Sequence, residues 1–233
     1  MNWQTNRVVL ATRSFARRAG LTRVMGSMLA RGAYEERFDS ALLDNVKPGD
    51  TVWDVGANIG YYSARLAEVI GETGHLYAFE PSLENLGKLR KKLDSLRNCA
   101  VLPYALGAES ATLFMEQGGD DIGATSRVVT EAAPGRVAVE VMSADEVLAS
   151  GKASIPDVIK IDVEGFELDV LKGMSALLKN SRLRTIGIEV HFGLLEARGL
   201  SSAPAIIVQI LKGQDFNVEW PDASHIVAKR LSA

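Results

Sequence analysis

The sequence predicts an α/β fold, a mostly parallel sheet with helices on both faces and a closing antiparallel hairpin. Three observations predict it. From residue 48, short apolar runs alternate with longer amphipathic ones. Three short runs, Thr51–Val55, Val158–Ile161 and Thr185–Val190, are rich in Val and Ile and carry few charges. The last two runs flank a turn-rich link, Pro221–Ser224. Runs of the second kind suit central parallel strands covered on both faces. Strand–helix alternation implies right-handed crossovers, and the last pair reads as a hairpin.

In chain order, the expected strands are Thr51–Val55, His75–Phe79, Ala100–Tyr104, Ala111–Met115, Arg136–Met142, Val158–Ile161, Thr185–Val190, Phe216–Trp220 and His225–Lys229. The expected helices are Tyr61–Ile70, Leu83–Leu96, Ala144–Ala149, Glu167–Leu178 and Ala203–Lys212. Lys47-Pro48-Gly49-Asp50 turns the chain into the first strand, Pro81 stops the second, and Ser82 can cap the helix behind it. Residues 116–135, with four glycines and a proline, form the one long irregular stretch, a length that suggests a functional loop or lid.

Composition sets outer limits. A chain of 233 residues, 47% hydrophobic and 24% charged, is long and apolar enough to bury a core, which excludes disorder. Cys99 is the only cysteine, so an intramolecular disulfide and a cysteine-based zinc site are excluded, and a reducing, cytoplasmic setting is the simpler expectation. No uninterrupted apolar run approaches the roughly 20 residues that span a bilayer. Residues 1–34 hold six arginines (Arg7, Arg13, Arg17, Arg18, Arg23, Arg31) and no acid, within a chain of net charge −3. The expected organisation is a basic helical cap over 1–47 and a main domain over 48–233. The acidic main domain disfavours nucleic acid as a partner.

The chemistry concentrates at three strand ends. The first strand runs into Gly56-Ala57-Asn58-Ile59-Gly60 and then a helix. Such a turn lets a ligand approach the backbone at the positive end of the helix. Its pattern, Asp-x-Gly-x-Asn-x-Gly, is not the Gly-x-Gly-x-x-Gly of dinucleotide sites, and no Lys-Ser or Lys-Thr follows it as in a P-loop. At the tip of the second strand stands Glu80, placed to accept both hydroxyls of a ribose. Turn plus acid points to an adenosine-containing cofactor. Asp54 favours S-adenosylmethionine over NAD, because a carboxylate there repels a pyrophosphate but pairs with a methionine ammonium.

The third end is Lys160-Ile161-Asp162-Val163-Glu164-Gly165, joined across the sheet edge by Glu189 and His191. Three carboxylates and an imidazole converge there. His191 with Glu164 can take a proton from a hydroxyl, or Asp162, Glu164 and Glu189 can hold a hard divalent cation such as Mg²⁺. The plainer alternative is that Asp162 caps the following helix and the acids orient arginines.

Asp54-Val55-Gly56-Ala57-Asn58-Ile59-Gly60, Phe79-Glu80-Pro81, Lys160-Ile161-Asp162-Val163-Glu164-Gly165 and Asp222-Ala223-Ser224-His225 resemble the FkbM family of S-adenosylmethionine-dependent methyltransferases over about residues 34–230. The resemblance implies a class I methyltransferase fold, with a seven-stranded sheet and a final antiparallel hairpin. It also implies O-methylation of a hydroxyl on a sugar, polyketide or other small metabolite. Asp54, Gly56, Asn58 and Gly60 would hold the methionine part of the cofactor and Glu80 its ribose. Asp162 would stand near the reactive methyl, and His191, Glu164 and Asp162 form the expected catalytic group. Two rival functions remain, an accessory protein that binds the cofactor without turnover and an NAD-dependent oxidoreductase. A homo-oligomer is left open. The acceptor pocket is expected from the leader, the loop 116–135 and Phe192–Ser202.

Overall fold

The computed structural model describes residues 36–116 and 127–231. Of the expected cap over 1–47, residues 1–35 lie outside the described residues; from Phe38 onward the chain is one compact unit, Phe38–Ala233. The described residues open with a helix, α1, over 36–43. Phe38, Leu42 and Val46 are buried in the same core as Val52, Leu76 and Ala78.

A seven-stranded sheet organises the unit. Its strands are β1 (Thr51–Val55), β2 (His75–Phe79), β3 (Cys99–Leu102), β8 (Val158–Ile161), β9 (Thr185–Glu189), β10 (Phe216–Glu219) and β11 (His225–Arg230), in the order β10-β11-β9-β8-β1-β2-β3. β1 pairs in parallel with β2 and β8, and β8 with β9, while β11 runs antiparallel to β9 and β10. Every residue of β1 and β8 is buried. Because successive side chains point to opposite faces, Trp53 and Val55 enter one core and Val52 the other. On the Val52 side lie α1, α2 (Tyr61–Ile70) and α3 (Leu83–Leu93). On the Trp53 side lie α4 (Ala144–Ala149), α5 (Glu167–Lys172), α6 (Phe192–Ala197) and α7 (Ala203–Lys212). The reversal of crossover direction between β1 and β8 opens a crevice at the carboxyl ends of the strands, where open α/β sheets take their ligands.

Two expectations need correction, the end of one helix and the irregular stretch, and the structure adds detail to two others. Ala111–Met115 and Arg136–Met142 do not join the main sheet. They become β5 (Ala111–Glu116) and β7 (Val137–Met142) of a separate sheet, ordered β4-β7-β5-β6 with β4 (Ala105–Leu106) and β6 (Arg127–Val129). Three of the first four residues of β7 are exposed, as suits a strand with one wet face. The helix expected over Glu167–Leu178 stops at Lys172. There Gly173 passes so close to Gly107 that a Cβ would lie 1.9 Å from its carbonyl oxygen, and a short 3₁₀ turn, Leu177–Lys179, follows. The irregular stretch 116–135 contains β6, paired with β5; residues 117–126 lie outside the described residues. Finally, α6 occupies the first half of Phe192–Ser202.

Candidate active site

The turn after β1 is bonded to the tip of β2. The backbone N–H groups of Gly56 and Ala57 both donate to the carbonyl of Phe79, at 3.0 Å each. Asn58 adopts a left-handed φ of 51°, which asparagine tolerates better than most residues. Its N–H donates to Oε2 of Glu80 at 2.8 Å, while Oε1 of Glu80 accepts the N–H of Ser82 at 2.8 Å. Glu80 is only 5% exposed. Burial raises its pKa against the opposing pull of these two backbone donors. An ionised carboxylate has about four acceptor sites, so sites remain for a ligand's hydroxyls. The side-chain oxygen of Asn58 is buried and has no hydrogen-bond partner, and α2 starts at Gly60 with no side-chain cap and no acid in its first turn. These features fit a cofactor that brings donors to the turn and an anion to the helix end.

Asp54 stands beneath this turn. It is fully buried, accepting Ser63 Oγ at 2.6 Å on one oxygen and facing Lys160 Nζ at 3.4 Å with the other. Lys160 is its register partner on β8 and is itself buried. The ammonium also meets Asp162 Oδ2 at 3.1 Å and lies 4.7 Å from the centre of the Tyr62 ring. Burial opposes the charge of Lys160, but Asp162 and Asp54 outweigh it and raise the pKa. Asp54 thus already has a cation of the chain's own.

Beyond β8 the chain makes a tight turn, with Glu164 at φ 49° and Gly165 at φ 93°. A glutamate in that region costs about 1 kcal/mol or more. The turn is held from below by Glu167, which is fully buried. Its Oε1 accepts the N–H of Gly165 at 2.8 Å and lies 2.8 Å from His191 Nδ1. The other nitrogen of His191 then faces three carboxylates, Glu164 at 3.3 Å, Glu189 at 3.7 Å and Asp162 at 3.8 Å.

This geometry sets the charges. Burial disfavours a charged His191, but Glu167, Asp162 and Glu164 prevail and lift its pKa to about 9. Glu164 moves the other way from an ordinary acid: burial, aided by Asp162 and Glu189 and opposed by His191, raises it to about 7. Glu189 is pushed up by burial but falls to about 2 because His225 and His191 face it. An imidazolium has no lone pair with which to take a proton, so at neutral pH the group suited to that task is Glu164 rather than His191.

The structure therefore gathers Asp162, Glu164, Glu189 and His191 at the carboxyl ends of β8 and β9, and Gly56, Asn58, Gly60 and Glu80 at those of β1 and β2, with Asp54 paired to Lys160 between the two groups. Sequence reasoning missed Lys160 and Glu167 as parts of the site. A signal for Lys160 existed: a lysine inside the apolar run Val158–Ile161 needs a buried acid, and Asp54 occupies the neighbouring strand. Nothing local marks Glu167, whose role comes from the fold of α5 against His191.

Residues 54–218 match the methyltransferase FkbM domain. The chain belongs to this family. The chain is also similar to the hexuronic acid methyltransferase AglP of Haloferax volcanii, 32% identical over 154 residues, which cover 66% of this chain and 61% of that protein. The matched part is thus less than two thirds of the relative's length. Among solved structures, the methyltransferase FkbM from Methylobacillus flagellatus KT is 20% identical, covering 77% of this chain and 43% of that one, with a TM-score of 0.52. Aeropyrum pernix fibrillarin, solved with natively bound S-adenosyl-L-methionine, is 12% identical over 84% of this chain and 76% of its own, also at 0.52. These likenesses show the fold, the class I S-adenosylmethionine methyltransferase fold. Among the described residues no helix is long and apolar enough to cross a membrane.

Proposed function

We propose that this FkbM-family chain is a cytoplasmic S-adenosylmethionine-dependent methyltransferase that methylates a hydroxyl of a small molecule, with a sugar as the first class to test. The observation that carries the proposal is a glycine turn with a buried acceptor, Glu80, standing at the carboxyl edge of the same sheet as a carboxyl group of raised pKa, Glu164. The relative that acts on hexuronic acid supports the sugar class.

When bound, the cofactor supplies an activated methyl group on a sulfonium. Glu80 takes the ribose hydroxyls, and the uncapped end of α2 takes the methionine carboxylate. Asp54 acts through Lys160, firming the floor of the turn, and Asp162, which meets Lys160 through Oδ2 and keeps a partly exposed side chain, offers its other oxygen to the methionine ammonium. Glu164 accepts the proton of the acceptor hydroxyl as the oxygen–methyl bond forms. His191, held by Glu167, stays charged and steadies the carboxylates around it. Phe192 is 46% exposed and stacks against Trp220, offering the acceptor an apolar surface next to His191.

Mg²⁺ does not fit these donors. Asp162, Glu164 and His191 bring ligand atoms within 4.8 Å of one another. However, Mg²⁺ takes oxygen ligands in near-octahedral geometry, the group that comes this close includes the His191 imidazole and not Glu189, the third expected oxygen donor, and Lys160 already meets one oxygen of Asp162. An ammonium and an imidazolium supply the positive charge that a metal would bring. No step is assigned to a cation.

Glu164→Gln is expected to lower kcat by roughly 10²–10⁴-fold, the range for a general base, with S-adenosylhomocysteine affinity retained. In the unsubstituted protein kcat should rise with pH through about 7, because the base works only when deprotonated. A panel of uronic acids and neutral hexoses, read by mass spectrometry for an added methyl group, identifies the acceptor. If Glu164→Gln kept full turnover with that acceptor, the base would have to be another group.

A further inference from the structure

One cluster lies behind the crevice and has no part in the mechanism above. Asp222, in the β10–β11 turn, accepts the N–H groups of Ser224 at 2.8 Å and His225 at 3.0 Å through Oδ1. Its Oδ2 lies 2.8 Å from Nδ1 of His225. The carboxylate therefore fixes both the turn and the ring. Phe38 of α1 stacks on that ring, with centroids 4.3 Å apart and planes 23° from parallel. His225 opens β11 and is the register partner of Glu189 at the end of β9. Held in this way, its Nε2 points at Oε2 of Glu189, 3.5 Å away. The other oxygen, Oε1, lies 3.7 Å from Nε2 of His191.

The result is an unbroken alternation of acid and imidazole, Asp222–His225–Glu189–His191–Glu167, from the hairpin to α5. Its two end acids have fully buried side chains, while Glu189 in the middle keeps about a third of its side chain exposed.

We propose that Asp222 and His225 are a positioning pair that holds Glu189 between two imidazole rings, fixing one carboxylate oxygen on the hairpin and presenting the other to the crevice beside His191. Glu189 is the group both rings share. It is faced by His225 from β11, by His191 from its own segment and by Lys160 from β8. His225 is faced by Glu189 and Asp222, which raise its pKa against burial, and by the uncharged Phe38. His191 is faced in addition by Asp162, Glu164 and Glu167. The consequence for methyl transfer, a crevice carboxylate that cannot swing away from the acceptor, rests on the function proposed above. The sharing of Glu189 does not.

Sharing makes the two rings oppose one another: a proton on His225 disfavours one on His191, and the loss of Glu189 disfavours both. The chain has three histidines, so the ring C–H signals of the labelled full-length protein can be followed against pH by NMR, with His75→Gln assigning the exposed third ring. In His225→Gln the His191 midpoint should rise from about 9 by about half a unit or more, and in Glu189→Gln the midpoints of both rings should fall by about a unit. Asp222→Asn keeps an oxygen to close the turn, so it tests the pair even where His225→Gln fails to fold. It should lower the His225 midpoint and raise that of His191. If the His191 midpoint stayed within about 0.2 units of the unsubstituted value in all three variants, Asp222 and His225 would merely brace the hairpin and the proposal would be overturned. Calorimetry with S-adenosylhomocysteine on the unsubstituted protein separates this failure from failure of the proposed function.

Discussion

Glu80→Ala is expected to weaken S-adenosylhomocysteine binding at least about 100-fold, since hydrogen bonds to a charged group contribute roughly 1.5–3 kcal/mol each and 1.4 kcal/mol is tenfold. The substitution acts twice. It removes the acceptor for the ribose, and it strands the N–H groups of Asn58 and Ser82, which Glu80 now holds at 2.8 Å each. Glu80→Gln keeps one carbonyl oxygen and should lose about tenfold. Titration calorimetry on both variants checks the ranking. Equal affinities in all three proteins would mean that Glu80 serves only to tie the turn to β2.

Gly56→Ala should be the most damaging glycine-to-alanine change among the described residues. The residue has φ +80°, and a Cβ built there would lie 1.8 Å from the carbonyl oxygen and 2.9 Å from the carbonyl carbon of Asp162. Both are backbone atoms, so β1 and β8 must part where Asp162 N–H donates to Val55 at 3.0 Å. A loss of more than about 4 kcal/mol is expected, which for a domain of this size lowers Tm by about 8–16 °C. Gly151→Ala is the matched comparison: φ is +67°, but nothing lies within 4 Å. Backbone strain alone should then cost about 1–2 kcal/mol. If both variants melted alike, close approach of the two strands would not be the reason for glycine at 56.

Much of this fold was legible locally. β1, β2 and β8 have the bounds their apolar runs announce, and β1 and β8 are buried along their whole length. The hairpin was marked by Pro221–Ser224. Ser82, read as a cap, does accept the N–H of Asn85, at 3.4 Å. The second sheet was not legible: an isolated strand such as Ala111–Glu116 does not say which sheet it joins, and both of its partners, β6 and β7, lie later in the sequence.

The crevice divides in the same way. Its glycine turn and Glu80 could be read because the chemistry needs those residue types at a strand–helix junction. The charge on His191 could not, because it depends on Glu167 and three other carboxylates brought together only by packing. The burial of Asp54 was hidden for a similar reason. A lone acid in a strand looks available to a ligand until Lys160 is seen beside it.

The most direct measurement is titration of the purified chain with S-adenosylmethionine, S-adenosylhomocysteine and NADH by calorimetry. Saturable one-to-one binding of the two sulfur nucleosides, without heat from NADH, is the predicted result. Binding of NADH alone, or of none of the three, would contradict the assignment of the glycine turn and Glu80 to a methyl-donor site.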